Sequence, residues 1–341
     1  ARSARLSPAG LVAGLEAVLG GVAGEGAAGV FAAAAAPSSP RRPVLVVLAG
    51  NLPGLAVQPL LPALALRRPV LLESARAEPW FAPAFAAALA EREPVLGGAV
   101  AAACWAGGDE ALEAPVLAAV DRVLAYGEAE TIADLERRAP GKVIAYGPKT
   151  SLAALGPRAD LAIAAEGLAR DVALFDQRGC LSVAAVYVEG AERAERLALL
   201  LAAALAERAR AWPPGPPDPA VQAAVRQLRD EAAMRGLLVP HLPMAAGTVI
   251  VDPAPTFRPT PGLRTVRIHP VGDLAEMPGF LRPWAGRLQG LALSGLDAGA
   301  EELLRRELEP LGLSRLALPG ELQVPDVRWH NGGIDPLEVL G

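Results

Sequence analysis

This sequence is short of the residue types that most often carry chemistry. Its 341 residues include two cysteines and three histidines, and its only lysines are Lys142 and Lys149. So few cysteines argue against a secreted disulfide scaffold. No group of His, Cys and carboxylate residues has ligand spacing, so no metal site is expected. A net charge of −5 without any basic run gives no footprint for nucleic acid. An anionic ligand would have to be held by local groups, not by an overall positive field. No apolar stretch reaches the length of a membrane span, about 18–20 residues. The first residues carry arginine, but no signal-peptide layout follows them. A soluble cytoplasmic protein is the expectation. The chain starts at Ala1 without a methionine, as a trimmed N-terminus would. The glycine fingerprint GxGxxG follows none of the expected strands.

What the chain has in quantity is Ala, Leu and Val, in a composition 52% hydrophobic and only 4% aromatic. That suits close α/β packing. Helical spacing of Leu11, Leu15, Val18 and Leu19 predicts a helix over 8–35. The run Val44–Ala49, ended by Gly50, has the unbroken apolarity of a strand buried on both faces. Helix over 57–66, strand at 70–72, helix over 80–91 and a strand within 95–103 are expected next. Helix 109–119, strand 122–126, helix 128–138 and strand 142–146 complete a sustained alternation. This is the pattern of a doubly wound parallel sheet. Ligands on such sheets bind beyond the carboxyl ends of the strands. Those ends fall at Gly50-Asn51, Glu73-Ser74, Gly127-Glu128 and Gly147-Pro148.

From about 150 the pattern restarts. Helices are expected over 159–174, 191–211, 220–235 and 299–312. Strands are expected at 183–188, 248–252, 265–269 and 291–294. The proline-dense Trp212–Pro219 reads as a rigid surface loop inside the domain. Between the first of these helices and its strand lies Phe175-Asp-Gln-Arg-Gly-Cys180-Leu-Ser. A cysteine on a Gly-preceded turn can be exposed, oriented and lowered in pKa by backbone N–H groups. A cysteine taken alone is more often a small buried residue. Cys104, after an Ala-rich strand, is expected to be buried. His241 and His269 receive no role.

Three features in order, the Gly50-Asn51-Leu-Pro-Gly54 turn, the Tyr146-Gly-Pro-Lys-Thr-Ser151 turn and the Asp171–Glu189 segment around Cys180, resemble the acyl-CoA reductase family. Its type is the fatty acid reductase subunit of bacterial bioluminescence, within the aldehyde dehydrogenase superfamily. The similarity runs from about residue 40 to the C-terminus. The resemblance implies two αβα halves of aldehyde-dehydrogenase type, with a parallel nucleotide-binding sheet and the cysteine at the interdomain cleft. It implies N-terminal helices and a nucleotide-binding domain over 1–147, a thiol domain over 148–318 and a return segment over 319–341. Cys180 would be the nucleophile. Asn51 would give its amide to the oxyanion, with the Cys180 N–H as second donor. Read without the resemblance, Asn51 is a turn residue.

The substitutions against the family pattern are informative. Ala145 stands where acid-forming aldehyde dehydrogenases carry a glutamate base, and it cannot activate water. An acyl group on Cys180 would then be reduced or exchanged with coenzyme A, not hydrolysed. Glu73, at a position where the superfamily often has lysine, can accept both ribose hydroxyls but would repel a 2′-phosphate. This favours NADH over NADPH; a surface glutamate at a strand end is the bland alternative. Ser74, Gly127, Glu128 and Gly147 join the cofactor-binding set. The superfamily's serine and second glycine are replaced by Glu128 and Ile132, which weakens any pyrophosphate contact there. Lys149 matches a motif lysine and is expected in a structural ion pair. His330, in Trp329-His-Asn-Gly-Gly333, is a candidate acid for the leaving sulfur, or an exposed loop histidine.

The implied activity is NADH- or NADPH-dependent reduction of an acyl-CoA, or another acyl thioester, to an aldehyde. The family also implies a homo-oligomer. Two other readings stay open. One is reduction of an acyl phosphate on the same scaffold. The other is a degenerate relative that binds nucleotide or acyl groups without catalysis.

Overall fold

A computed structural model describes residues 4–34 and 41–341. The last residue of the helix expected over 8–35 lies outside that set. The chain forms two compact units. One comprises Leu15–Pro148 with Pro325–Gly341; the other comprises Ala1–Gly14 with Lys149–Val324. The division falls within the first helix.

In the first unit the helices α1 (Pro8–Val22) and α2 (Glu25–Ala33) precede β1 (Val44–Val47). Then come α3 (Val57–Ala65), β2 (Val70–Glu73), α4 (Phe81–Arg92), a single turn α5 (Pro94–Gly97) and β3 (Val100–Ala103). The half closes with α6 (Glu110–Ala119), β4 (Arg122–Tyr126), α7 (Ala129–Arg138) and β5 (Val143–Tyr146). All five strands are parallel, in the order β3-β2-β1-β4-β5. The order reverses between β1 and β4, which makes their carboxyl ends the switch point of the sheet. The four residues of β1 are buried throughout, as their apolarity requires. One face packs Leu60, Ala63 and Leu64 of α3 against Val44, Val46 and Leu72. The other packs Leu117, Ile132 and Leu135 against Leu45, Val47 and Val123. The strand expected within 95–103 begins only at Val100, because Pro94 starts a helical turn, a position that suits proline.

The second unit carries β6 (Thr150–Leu155), α8 (Leu161–Ala173), β7 (Val183–Glu189), α9 (Ala191–Ala211) and α10 (Pro219–Met234). It continues through β8 (Thr248–Val251), β9 (Thr265–Val271), α11 (Met277–Leu281), β10 (Leu288–Ser294), α12 (Ala298–Leu308) and β11 (Arg315–Ala317). A last short helix, α13 (Pro336–Leu340), belongs to the first unit, where Leu340 joins its core. The second sheet is also wholly parallel, ordered β11-β10-β6-β7-β9-β8. Its central strand β6 was not expected from the sequence. Thr-Ser-Leu-Ala-Ala-Leu has little β-branched content, and Gly156-Pro157 follows at once. Burial on both faces selects those small residues: Ser151, Ala153, Ala154 and Leu155 are fully enclosed. The same economy serves the helices. Ala164, Ala165 and Ala169 of α8 and Ala194, Ala198 and Ala202 of α9 are buried.

No single described helix is long and apolar enough to cross a membrane. The pair α1 and α2, bent by 48°, passes that test together by length and composition.

Candidate active site

The thiol is positioned by an unusual stretch of backbone. After α8, Phe175, Asp176 and Gln177 all adopt left-handed φ, at 54°, 52° and 62°. Each such residue costs an L-amino acid about 1–2 kcal/mol. Three in succession persist only because their side chains are bound elsewhere. The Asp176 carboxylate is buried and accepts from Arg264 Nε at 3.0 Å and Nη2 at 2.6 Å. Its other oxygen accepts from the Gly215 N–H at 2.8 Å. Arg264 Nη2 also donates to the Trp212 carbonyl at 2.9 Å. The proline-dense loop is therefore packed against the thiol turn. The Gln177 amide acts as a strand residue would. It accepts from Thr265 N–H at 2.7 Å and donates to the carbonyls of Thr265 and Val183, both at 2.8 Å.

Upstream, α8 is locked to the 318–324 segment. Asp171 accepts from Gly320 N–H at 2.7 Å and from Gln323 N–H at 3.4 Å. Gln323 donates back to the carbonyls of Asp171 and Leu174. Gly167 is required there: a Cβ would stand 2.3 Å from the Pro319 carbonyl oxygen. Burial pushes the Asp171 carboxyl up to about 6 against the pull of those N–H groups.

Downstream, Gly179 N–H donates to Ser182 Oγ at 3.2 Å, and Ser151 Oγ donates to the Cys180 carbonyl at 2.7 Å. Gly290 of β10 leaves the room for this, since a Cβ would lie 3.0 Å from Ser151 Oγ and 3.1 Å from Leu181. Cys180 is half-buried. The N–H groups of Cys180 and Leu181 and the positive charge of Lys149 favour the thiolate. Burial outweighs them and pushes the thiol up to about 11. The expectation of a lowered thiol is thus corrected: the donors are in place, but desolvation is the larger effect. Lys149 is corrected too. Among the described residues it has no carboxylate within ion-pair distance.

The remaining candidates lie in the first unit. Glu73 ends β2, and Asn51, Ser74, Gly127, Glu128 and Gly147 follow strand ends on the carboxyl edge of the same parallel sheet. Asn51 is exposed on the turn after β1. Gly50 is required before it, because a Cβ would meet the Ala77 methyl at 2.8 Å. Burial, and then the nearby Glu113 carboxylate, push Glu73 up to about 7. Ser74 Oγ is buried without a hydrogen-bond partner. Such an orphaned hydroxyl beside Glu73 is a group that a ribose hydroxyl would satisfy. A Cβ at Gly127 would make ordinary contact with Thr131, at 3.5 Å. Glu128 stands exposed at the N-cap position of α7 without a side-chain capping bond, and Ile132 is core. Two acidic residues, Glu128 and Glu130, already sit at the positive end of this helix.

His330 is exposed, with Nε2 at 3.7 Å from Asp335. His269 is a core histidine, stacked on Tyr187 and bonded at Nδ1 to the Ala254 carbonyl. Cys104 is exposed, against the expectation of burial. It follows β3, an edge strand of the sheet, so only one side has a neighbouring strand to cover it. Among the described residues no group of His, Cys, Asp and Glu is arranged to hold a metal.

The fold is that of aldehyde dehydrogenases. It resembles an NAD-dependent benzaldehyde dehydrogenase from Corynebacterium glutamicum with TM-score 0.64 and 16% identity, over 84% of this chain and 66% of that one. A succinate-semialdehyde dehydrogenase from Burkholderia pseudomallei gives TM-score 0.66 and 18% identity, over 87% and 68%. A glyceraldehyde-3-phosphate dehydrogenase, GapN, from Methanocaldococcus jannaschii, solved with NADP, gives 0.65 and 15%, over 86% and 70%. The chain thus spans about two thirds of the length of these enzymes. The model of the acyl-CoA reductase (LuxC) family matches residues 35–341, and the chain belongs to that family. No curated protein matches it.

Proposed function

We propose that this protein reduces an acyl-CoA thioester to an aldehyde through an acyl group carried on Cys180. The observation that carries the reading is the locked left-handed turn over 175–177, which leads directly into the turn that carries Cys180. A fold maintains three strained residues in a row where position matters. Family membership supports the substrate class.

In this reading the Cys180 thiolate attacks the thioester carbonyl, and the carbon–sulfur bond to coenzyme A breaks. The Cys180 N–H and the Asn51 amide are the donors assigned to the oxyanion, each worth about 3 kcal/mol in such a role. Ala145 has no titratable group, so this position offers no base for hydrolytic water. Glu73, Ser74, Gly127 and Gly147 are the residues assigned to a nicotinamide dinucleotide. When bound, that cofactor supplies the hydride that reduces the acyl thioester on Cys180 to a hemithioacetal. Collapse of the hemithioacetal returns the thiol and releases aldehyde. His330 is assigned to protonation of the leaving sulfur. An acyl phosphate would be handled by the same thiol, with phosphate as leaving group.

The test is oxidation of NADH and NADPH against a chain-length series of acyl-CoAs, with Cys180→Ala as control. Acyl-CoA-dependent oxidation lost in Cys180→Ala supports the proposal. Activity that survives the substitution refutes it. Covalent acylation without cofactor oxidation would mark an acyl transferase instead.

A further inference from the structure

The thiol turn has a second set of supports, remote in sequence from the first. Residues 4–14 belong to the unit that carries Cys180, although 174 positions separate Ala4 from Arg178. Arg178, two residues before the thiol, reaches this segment. Its Nη1 donates to the Ala4 carbonyl and its Nη2 to the Arg5 carbonyl at 2.7 Å. The planar fork of a guanidinium suits two such neighbouring acceptors. Phe175, at the other end of the turn, meets the same segment. A Cβ on Gly14 would collide with the Phe175 ring, so the ring lies directly against the backbone of α1. Phe175, Ala4 and Leu6 are all buried.

The proline-dense loop closes on this segment from its other side. A Cβ on Gly215 would collide with the Arg5 carbonyl, so loop and segment approach backbone to backbone. Gly215 is also the residue whose N–H donates to Asp176. Arg5 pairs with Asp218 at 2.7 Å, an exposed contact of small weight. The clamp of Arg264 takes hold at Asp176, and that of Thr265 at Gln177. Residues 4–14 take hold at the flanking Phe175 and Arg178.

We infer that residues 4–14 form a positioning strap for the nucleophile, with Arg178 as its latch: by holding both ends of the left-handed turn they set where Cys180 presents its sulfur. The inference rests on the proposed function in taking Cys180 as the nucleophile. The strap acts through the turn and needs no contact with substrate. Its release lets the strained residues relax. Two consequences of opposite sign follow. The half-buried thiol becomes easier for a small alkylating agent to reach, and worse aligned on a thioester. A displacement of about 1 Å can cost an aligned reaction about a hundredfold.

The experiment uses the full-length chain. Alkylation of Cys180 by iodoacetamide at constant pH is followed by peptide mass spectrometry, which separates it from the exposed Cys104. Covalent acylation of Cys180 is followed in parallel over a range of acyl-CoA concentrations. Wild type, Arg178→Met, Arg178→Lys and Gly14→Val are compared, with the thermal transition of each. Arg178→Met loses both carbonyl contacts, and Gly14→Val displaces the Phe175 ring at the other end of the turn. In each, alkylation should speed up about tenfold while the limiting acylation rate falls about tenfold or more, with the half-saturating thioester concentration within about threefold of wild type. Arg178→Lys keeps the charge and can keep one contact, so it should lie between. Wild-type rates of both reactions in a folded Arg178→Met or Gly14→Val would overturn the inference, as would a lowered thermal transition without any change at the thiol. If one variant does not fold, the other decides. If wild type takes no acyl group, the proposed function falls, and alkylation alone decides the strap.

Discussion

Replacing Asp176 by alanine tests whether the thiol turn is held as described. The carboxylate receives three N–H donors, two from Arg264 and one from Gly215. Both charged side chains are buried, at 4% and 1% exposure. Removing one member of such a pair costs about 3–5 kcal/mol, because the other charge stays buried and uncompensated. Set against a total stability of roughly 5–15 kcal/mol, that is a large fraction. The loss also frees the three left-handed residues, which have every reason to relax. Asp176→Ala should therefore shift the urea midpoint strongly and abolish acylation of Cys180. A double variant, Asp176→Asn with Arg264→Met, separates the two effects. It removes both charges, keeps most of the volume, and should recover much of the stability. The turn would still lack its clamp, so Cys180 labelling should remain impaired. A loss below about 1 kcal/mol in Asp176→Ala, or normal labelling in a folded Asp176→Ala, would refute the clamp.

Three further outcomes follow from the same geometry. Gln177→Gly relieves one left-handed residue but deletes three hydrogen bonds, each worth about 1 kcal/mol, so urea unfolding should show a net loss near 2 kcal/mol. Gly290→Ala places a methyl 3.0 Å from Ser151 Oγ and 2.9 Å from Leu322; overpacking of about 1–3 kcal/mol should appear in urea melts, with slower labelling of Cys180 as its carbonyl loses Ser151. Glu73 titrates near 7 when folded, against an ordinary value of 4.5. The folded state thus binds the proton more tightly, and this group's contribution falls as pH rises from about 4.5 through about 7. Glu73→Gln should be more stable than wild type at pH 8 and show no such slope, whereas parallel pH–stability curves would contradict the burial of Glu73.

The first half of the fold was legible because its strands are nearly pure Val, Leu and Ala between glycines, a pattern only a doubly covered parallel strand requires. The second half was legible except where alanine and serine stand in for β-branched residues, as in β6. There the central position in the sheet, not local preference, decides the conformation. The turn that carries Cys180 and the strand-end turns were legible as positions in the fold. The supports of the thiol turn were not. Nothing local in Phe-Asp-Gln announces three left-handed residues, since the forces that hold them come from Arg264, Gly215 and Thr265, dozens of residues away.

The thiol shows where sequence reasoning about chemistry meets its physical limit. A Gly-preceded turn with two N–H donors argues for an acidic cysteine, and those donors are present. Burial depends on the whole fold, and it reverses the sign, with the thiol pushed up to about 11. A thiol raised in this way is mostly protonated at neutral pH. The proposed reading therefore needs the thiolate to be stabilised when substrate arrives. A thiolate of high pKa is a strong nucleophile once formed, and it exchanges with another thiolate without needing hydrolytic water. Under the proposed reading the raised thiol and the alanine at 145 are consistent with one another: both suit transfer between sulfurs better than attack by water.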